Sequence, residues 1–362
     1  MQESIDISRV MVYNGVNIFW GESNPHQKGV LFIKQSFGNL SDGRAVSLYT
    51  ISAGRLKAAV TDLGATLVSL WVDGVDVVLG YDDASGYLNN EGFLGAVVGR
   101  NANRIQSSSF PLNGTTVQLT PNEGSNNLHS GPDCWNTRLW DVMEVTENTI
   151  RLCLSSPHGD QGFPGNATVS VTYTIINNAL NIAYDAVSDQ DTVFNLTNHA
   201  YFNLAGENRP EKALDQVLTV NAACFNPDDA QNIPTGEMRS VEGTPFDFRS
   251  PKALGRDIGM DYEPLHLQGG YDHNFVIAGN PCAVLADPES GRTMTVSTDC
   301  PGVQVYTANF LEVTGRNGIF YGKRSGVCLE TQFAPNSVNH PEWPQPFVKA
   351  GTPYHSETTF QF

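Results

Sequence analysis

The sequence predicts an all-β fold, a large antiparallel β-sandwich body with few short helices. Period-two alternation recurs along the chain: Val169, Val171, Tyr173 and Ile175 stand against Ser170, Thr172 and Thr174, the pattern of a strand with one buried face. The 34 glycines and 20 prolines punctuate such runs, as tight turns require. Apolar residues at helical spacing are nearly absent, and SPKALGRDI (250–258) is long enough only for a turn or two. Sheets that bury one face each against another give a sandwich.

In chain order, the strand-like runs are AVSLYTIS, ATLVSLWV, TIRLCLSS, a hairpin turning at Asn177-Asn178, QVLTVNA, HNFVIAG, RTMTVST, GVQVYTANF, GVCLETQF and HSETTFQF. The chain shows neither a linker of low complexity nor a repeat of the length that builds propellers and solenoids. Residues 35–362 are therefore expected to form one β body. Residues 1–34, with the irregular aromatic run VMVYNGVNIFWGESNPHQKG, are expected to add a strand to that body or cap it.

Composition excludes several classes of function. Of 362 residues, 21 are Lys or Arg and 38 Asp or Glu, for a formal charge of −17. With no basic run to neutralise phosphates, nucleic acid and anionic membrane are not expected partners. The chain has no apolar run of about 18 residues, and MQESIDISRV lacks the basic start and apolar centre of a signal peptide, so a soluble, cytoplasmic protein is expected. The six cysteines contain no C-x-x-C pair, and neither H-E-x-x-H nor H-x-H spacing occurs, so no metal is expected. GYDDASG lacks the strand–glycine–helix context of nucleotide binding, and no cofactor is expected. G-x-S-x-G is absent. Proton-transfer chemistry leads the remaining options.

Such chemistry needs ionisable groups held among neutral hydrogen-bonding residues in a cleft. Five segments qualify: GRNANRI (99–105), NNLHSG (126–131), NLTNHAYFNL (195–204), GGYDHNF (269–275) and CLETQF (328–333). The first holds Arg100 and Arg104, whose guanidinium forks suit either hydroxyls or a structural ion pair. His129 reads as a loop histidine after a strand. In the third, strand alternation groups His199 with Asn195, Thr197 and Tyr201, opposite Phe194, Leu196 and Asn198. Asp272 and His273 are adjacent, so only one can face a given site. An inward Glu330 would be desolvated, which raises a carboxylate's pKa and makes it a better base.

Taken together and in order, these segments resemble the galactose mutarotase, or aldose 1-epimerase, family, with the likeness running from about Gln35 to the C-terminus. Arg104 and Asn103 match the family's Asn-Arg-Ile turn, His129 its Leu-His-Gly-Gly loop, and His199 its Asn-His-x-Tyr-Phe-Asn-Leu strand. Asp272 matches Asp-His-Asn-Phe, Gln304 matches Val-Gln-Val-Tyr-Thr, and Glu330 matches Leu-Glu-Thr-Gln. Three positions depart from the pattern: Ser130 and Ala308 replace glycines, and Asn336-Ser337 replaces Asp-Ala. Ser130 is expected to narrow the sugar site beside His129.

The resemblance implies a β-supersandwich that interconverts the α and β anomers of free aldohexoses such as D-galactose and D-glucose. It implies Glu330 as base, His199 as acid and protonated at rest, and His129 as an assistant near the ring oxygen. The two catalytic groups are expected on opposite sides of the ring. Arg104, Asn103, Asp272 and Gln304 would hold sugar hydroxyls. A hexose-6-phosphate epimerase and a non-catalytic sugar-binding protein are the alternatives. Monomer and homodimer are equally compatible with the sequence.

Overall fold

Alternating runs become strands wherever a neighbour covers their apolar face, and among the described residues three large antiparallel sheets result. The computed structural model describes residues 10–13, 16–21 and 30–362 apart from 91, with side chains from residue 33 onward. A seven-stranded meander runs in sequence order from Val10–Tyr13 to Val75–Asp76. A nine-stranded sheet includes Thr149–Ser156, Ala167–Ile176, Ala179–Ser188 and the C-terminal Tyr354–Gln361. A six-stranded sheet carries Tyr201–Phe202, Val327–Gln332, Gly302–Tyr306 and Asp272–Ile277 as consecutive neighbours. The α-helices among the described residues are Ala84–Leu88 and Glu263–Gln268, and no helix there is long and apolar enough to cross a membrane.

The hairpin at Asn177-Asn178 pairs Ile176 with Ala179, and both turn residues take positive φ, 51° and 59°, the conformation that matches the twist of two flanking strands. Its inward residues Val169, Val171, Tyr173 and Ile175 join Ile51, Leu56 and Leu70 of the seven-stranded sheet and Val303, Val305 and Leu329 of the six-stranded sheet in one core. SPKALGRDI forms no helix: Lys252–Ala253 is an edge strand of the nine-stranded sheet, followed by turns.

The N-terminal segment falls partly outside the described residues. Its described pieces, Val10–Tyr13 and Val16–Gly21, extend the edge of the seven-stranded sheet through pairing with Val30–Asn39, a strand that runs unbroken past position 35.

In the six-stranded sheet the alternation has a functional consequence. Val303, Val305, Val327 and Leu329 enter the core, which sends Gln304, Cys328, Glu330 and Gln332 to the other face. That face is also buried, since every residue of Gly302–Tyr306 and Val327–Gln332 is shielded from solvent. Polar side chains so placed must find partners or line a cavity: Gln304 and Gln332 are hydrogen-bonded to each other, and Glu330 lines a cleft.

Candidate active site

The cleft encloses about 510 Å³, in the range of small-molecule sites. Asn103, Arg104, His129, His199, Asp272 and Glu330 all line it. The seventh expected residue, Gln304, does not.

His199 sits where an extended chain changes partners. Thr197–Asn198 pairs with Val97–Val98, and Tyr201–Phe202 pairs with Val327–Gln332. Between them the His199 N–H donates to the Ala96 carbonyl at 2.9 Å and its carbonyl accepts from Gly95 N–H at 3.0 Å. Tyr201 lies directly opposite Cys328, so His199 reaches the cleft beside Glu330, two residues further along that strand. The His199 Nε2 to Glu330 Oε1 distance is 3.8 Å, and both side chains are under 8% exposed. The expectation of groups on opposite sides of a ring is corrected: neighbouring segments of one sheet place them side by side.

Aromatic rings hold the imidazole. Phe93 packs against His199 at 6.0 Å and against His129 at 4.7 Å between ring centroids, and Tyr201 lies 5.0 Å from His199. The Tyr201 hydroxyl donates to the Gly92 carbonyl at 2.8 Å, which ties the turn that presents Phe93. Cys328 Sγ lies 3.5 Å from His199 Nδ1.

The second wall comes from a two-residue ladder in which Leu128 pairs with Arg104. Beyond it, Asn103, His129 and Ser130 have φ of 61°, 50° and 76°, a turn that folds His129 back over the ladder. Its Nδ1 accepts from the Asn103 N–H at 3.2 Å, so in the neutral ring the other nitrogen carries the proton. Ser130 does not narrow the site, against expectation. Its hydroxyl donates to the Asn101 carbonyl at 3.0 Å and accepts from the Asn101 N–H at 2.8 Å, away from the cleft.

The two arginines separate completely. Arg100 is 1% exposed and donates to Ser156 Oγ and to the carbonyls of Ser156, Pro164 and Gly165, a structural tie between loops. Arg104 faces the cleft and makes a bidentate pair with Glu123 at 2.7 and 2.8 Å.

Asp272 and His273 point oppositely, as alternation requires. His273 is enclosed by Phe225 and Phe246, while Asp272 faces the cleft and accepts from Gln304 Nε2 at 2.8 Å. The Gln304 carbonyl oxygen accepts in turn from Gln332 at 3.2 Å. Gln304 was expected to touch sugar; here it is absent from the lining and holds Asp272 through that hydrogen bond.

Burial governs the ionisations. It lowers His199 to about 4 and drives His129 well down, helped by His199 and Arg104. Burial, then the like charge of Asp272, pushes Glu330 well above the ordinary carboxylate range, against the pull of Arg104. Asp272 is raised too, by burial. In the cleft, burial thus favours a neutral His199 and a protonated Glu330, a direction opposed to the expected protonation of His199 at rest. The physical reason is that a dry cleft disfavours both charges at once. Glu330 Oε2 is buried without a hydrogen-bond partner, a group that waits for a donor.

Sequence reading missed Phe93, Cys328 and Gln332 as site-shaping residues. Phe93 has φ of 55°, a conformation rare for a bulky residue, and only the flanking Gly92 and Gly95 hint at a tight turn. Cys328 and Gln332 were recoverable by counting two residues either way from Glu330.

The pattern of the aldose 1-epimerase family matches residues 47–361, which include all seven candidate residues. The chain belongs to that family. Among similar proteins, the galactose mutarotase of Bos taurus is 40% identical over 90% of this chain and 97% of its own. The aldose 1-epimerase of Haemophilus influenzae is 38% identical over 91% of this chain and 99% of its own. A solved structure described as galactose 1-epimerase from Lactobacillus acidophilus superposes with a TM-score of 0.82 at 28% identity, covering 92% and 98% of the two chains. The GalM/aldose epimerase homologue from C. elegans gives 0.81 at 30% identity, covering 88% and 98%. The protein is thus an isomerase with aldose 1-epimerase function, and its fold is that of the galactose mutarotase-like sandwiches.

Proposed function

We propose that this aldose 1-epimerase interconverts the anomers of D-galactose and D-glucose, with Glu330 and His199 moving the protons. The observation that carries the reading is the His199–Glu330 pair, 3.8 Å apart, with Glu330 Oε2 unpartnered in a cleft of sugar size. The hydroxyl oxygen on C1 and the ring oxygen are bonded to the same carbon, so one adjacent acid–base pair can address both. Glu330 takes the proton of the C1 hydroxyl, the C1–ring oxygen bond breaks, and His199 delivers a proton to the ring oxygen. Rotation about C1–C2 and reversal of the two transfers give the other anomer and restore the pair.

The active form carries one proton shared between two groups, and its charge is zero whichever holds it. A C1 hydroxyl donating to Glu330, with the ring oxygen accepting from His199, favours the ionised arrangement that burial disfavours. His129 stands near His199, 5.6 Å between ring centroids, and serves as a neutral donor toward the ring oxygen. Asp272 and Asn103 hold hydroxyls, and Arg104 does so from its pair with Glu123.

Against a hexose-6-phosphate substrate stands the charge of the lining. Among the described lining residues Arg104 is the one Lys or Arg, already paired, whereas Glu123, Asp272, Glu312 and Glu330 are all acids. A dianionic phosphate wants free cations. Polarimetry on freshly dissolved α-D-galactose and α-D-glucose tests the reading: faster equilibration of both sugars supports it, and acceleration confined to hexose 6-phosphates refutes it.

The pH profile follows from the shifts. Below about 4, where His199 too is protonated, the pair has no base; above the raised pKa of Glu330 it has no acid. After subtraction of the spontaneous rate, kcat/KM should therefore fall toward pH 4 and again on the alkaline side of the raised Glu330 pKa, limbs that belong to the pair as a whole. An acid limb at the ordinary histidine value near 6.5 would contradict the burial of His199.

Asp272→Asn tests the holding role. A charge-assisted hydrogen bond contributes about 1.5–3 kcal/mol, so KM should rise roughly 10- to 100-fold with kcat changed far less, the mark of binding common to ground and transition states. A collapse of kcat at unchanged KM would assign Asp272 to the chemistry instead.

A further inference from the structure

We propose that His199, Cys328 and Glu330 form a binding site for a soft divalent cation of the Zn²⁺ or Cd²⁺ type, and that its occupancy shuts the cleft. One ligand atom from each of the three buried residues lies within 4.8 Å of the others. Strand geometry brings them together: Cys328 and Glu330 share a face two residues apart, and Tyr201, paired with Cys328, carries His199 in beside them. Imidazole, thiolate and carboxylate are the three ligand types that zinc accepts.

The spacing fits as well. A tetrahedral centre with Zn–S of about 2.3 Å and Zn–N of about 2.0 Å has an S–N edge of roughly 3.5 Å, and Cys328 Sγ already lies 3.5 Å from His199 Nδ1. Glu330, 3% exposed with Oε2 unpartnered, is the ligand free to close the remaining gap. On binding, the cation displaces the thiol proton, which leaves to solvent, and takes the imidazole lone pair and a carboxylate oxygen. His199 and Glu330 both form part of the cleft lining, so an ion that engages them occupies the acid–base pair. Mg²⁺, which prefers oxygen ligands and keeps its waters, is poorly matched to the set.

The inference rests on His199 and Glu330 being the acid–base pair, because that is why a bound cation stops turnover. The test is a titration of the whole protein with Zn²⁺ and with Cd²⁺ during mutarotation, with Mg²⁺ as control. Expected are at least a tenfold loss of rate with either soft ion, competition with the aldose, full recovery with EDTA and no effect of Mg²⁺. Cys328→Ser and Cys328→Ala, each referred to its own metal-free rate, should need roughly 10²-fold more metal, since the thiolate is the soft ligand.

Equal sensitivity of these variants and wild type, inhibition that is not competitive with aldose, or an inert wild type would each overturn the site. The competition measurement needs no variant, so it stands even where a cysteine variant does not fold. Metal-free rates of Glu330 and His199 variants report separately on the acid–base reading, so the two failures are distinguishable.

Discussion

Glu330→Gln is expected to lower kcat for anomer interconversion by at least about 10²-fold, the contribution of one positioned acid or base. Glutamine keeps the shape of the side chain but cannot accept the proton of the C1 hydroxyl. The fold should not suffer. Glu330 is buried, feels the like charge of Asp272 and has one oxygen unpartnered, so a neutral amide of the same shape removes a buried ionisable group at little cost. KM should change little, because Asp272, Asn103 and Arg104 still line the cleft. Mutarotation followed by polarimetry, beside a thermal melt, checks both statements: a wild-type-like kcat removes Glu330 from the chemistry.

His199→Asn is expected to produce a loss of similar size, at least about 10²-fold in kcat, because the ring oxygen then lacks its proton donor. Asparagine retains a hydrogen-bonding amide but cannot exchange a proton. This variant also gives up the ring contacts with Phe93 and Tyr201, so a modest fall in Tm is expected, on the order of the 1 kcal/mol typical of a single substitution. The double variant discriminates more sharply. Two groups that shuttle one proton act as a unit, and Glu330→Gln with His199→Asn should be scarcely slower than either alone. Losses that multiply would mean that the two residues act independently.

The hydrophobic pattern made the strands legible because alternation is a local signal and each sheet face must be covered. It identified the hairpin at Asn177-Asn178, GVQVYTANF and GVCLETQF as strands, and the opposition of Asp272 and His273. SPKALGRDI, long enough only for a turn or two of helix, forms none: pairing of Lys252–Ala253 with Val217–Val220 outweighs so slight a helical preference. Arg100 and Arg104 could not be told apart by type or spacing, since only long-range packing buries one against Ser156 and opens the other to the cleft.

By itself, then, the sequence determined the all-β class and the family, which follow from local alternation and from ordered short motifs, and through that resemblance it nominated seven residues, of which all but Gln304 line one cleft. Only the tertiary structure decided how they work together. It set His199 and Glu330 side by side rather than across a ring, left Gln304 out of the lining, turned Ser130 away from the sugar, and brought Cys328 against His199. It also buried His199 and Glu330, which pushes the first toward its neutral form and the second toward its protonated form, since a pKa shift depends on how much water every surrounding segment removes, and no local stretch of sequence records that sum.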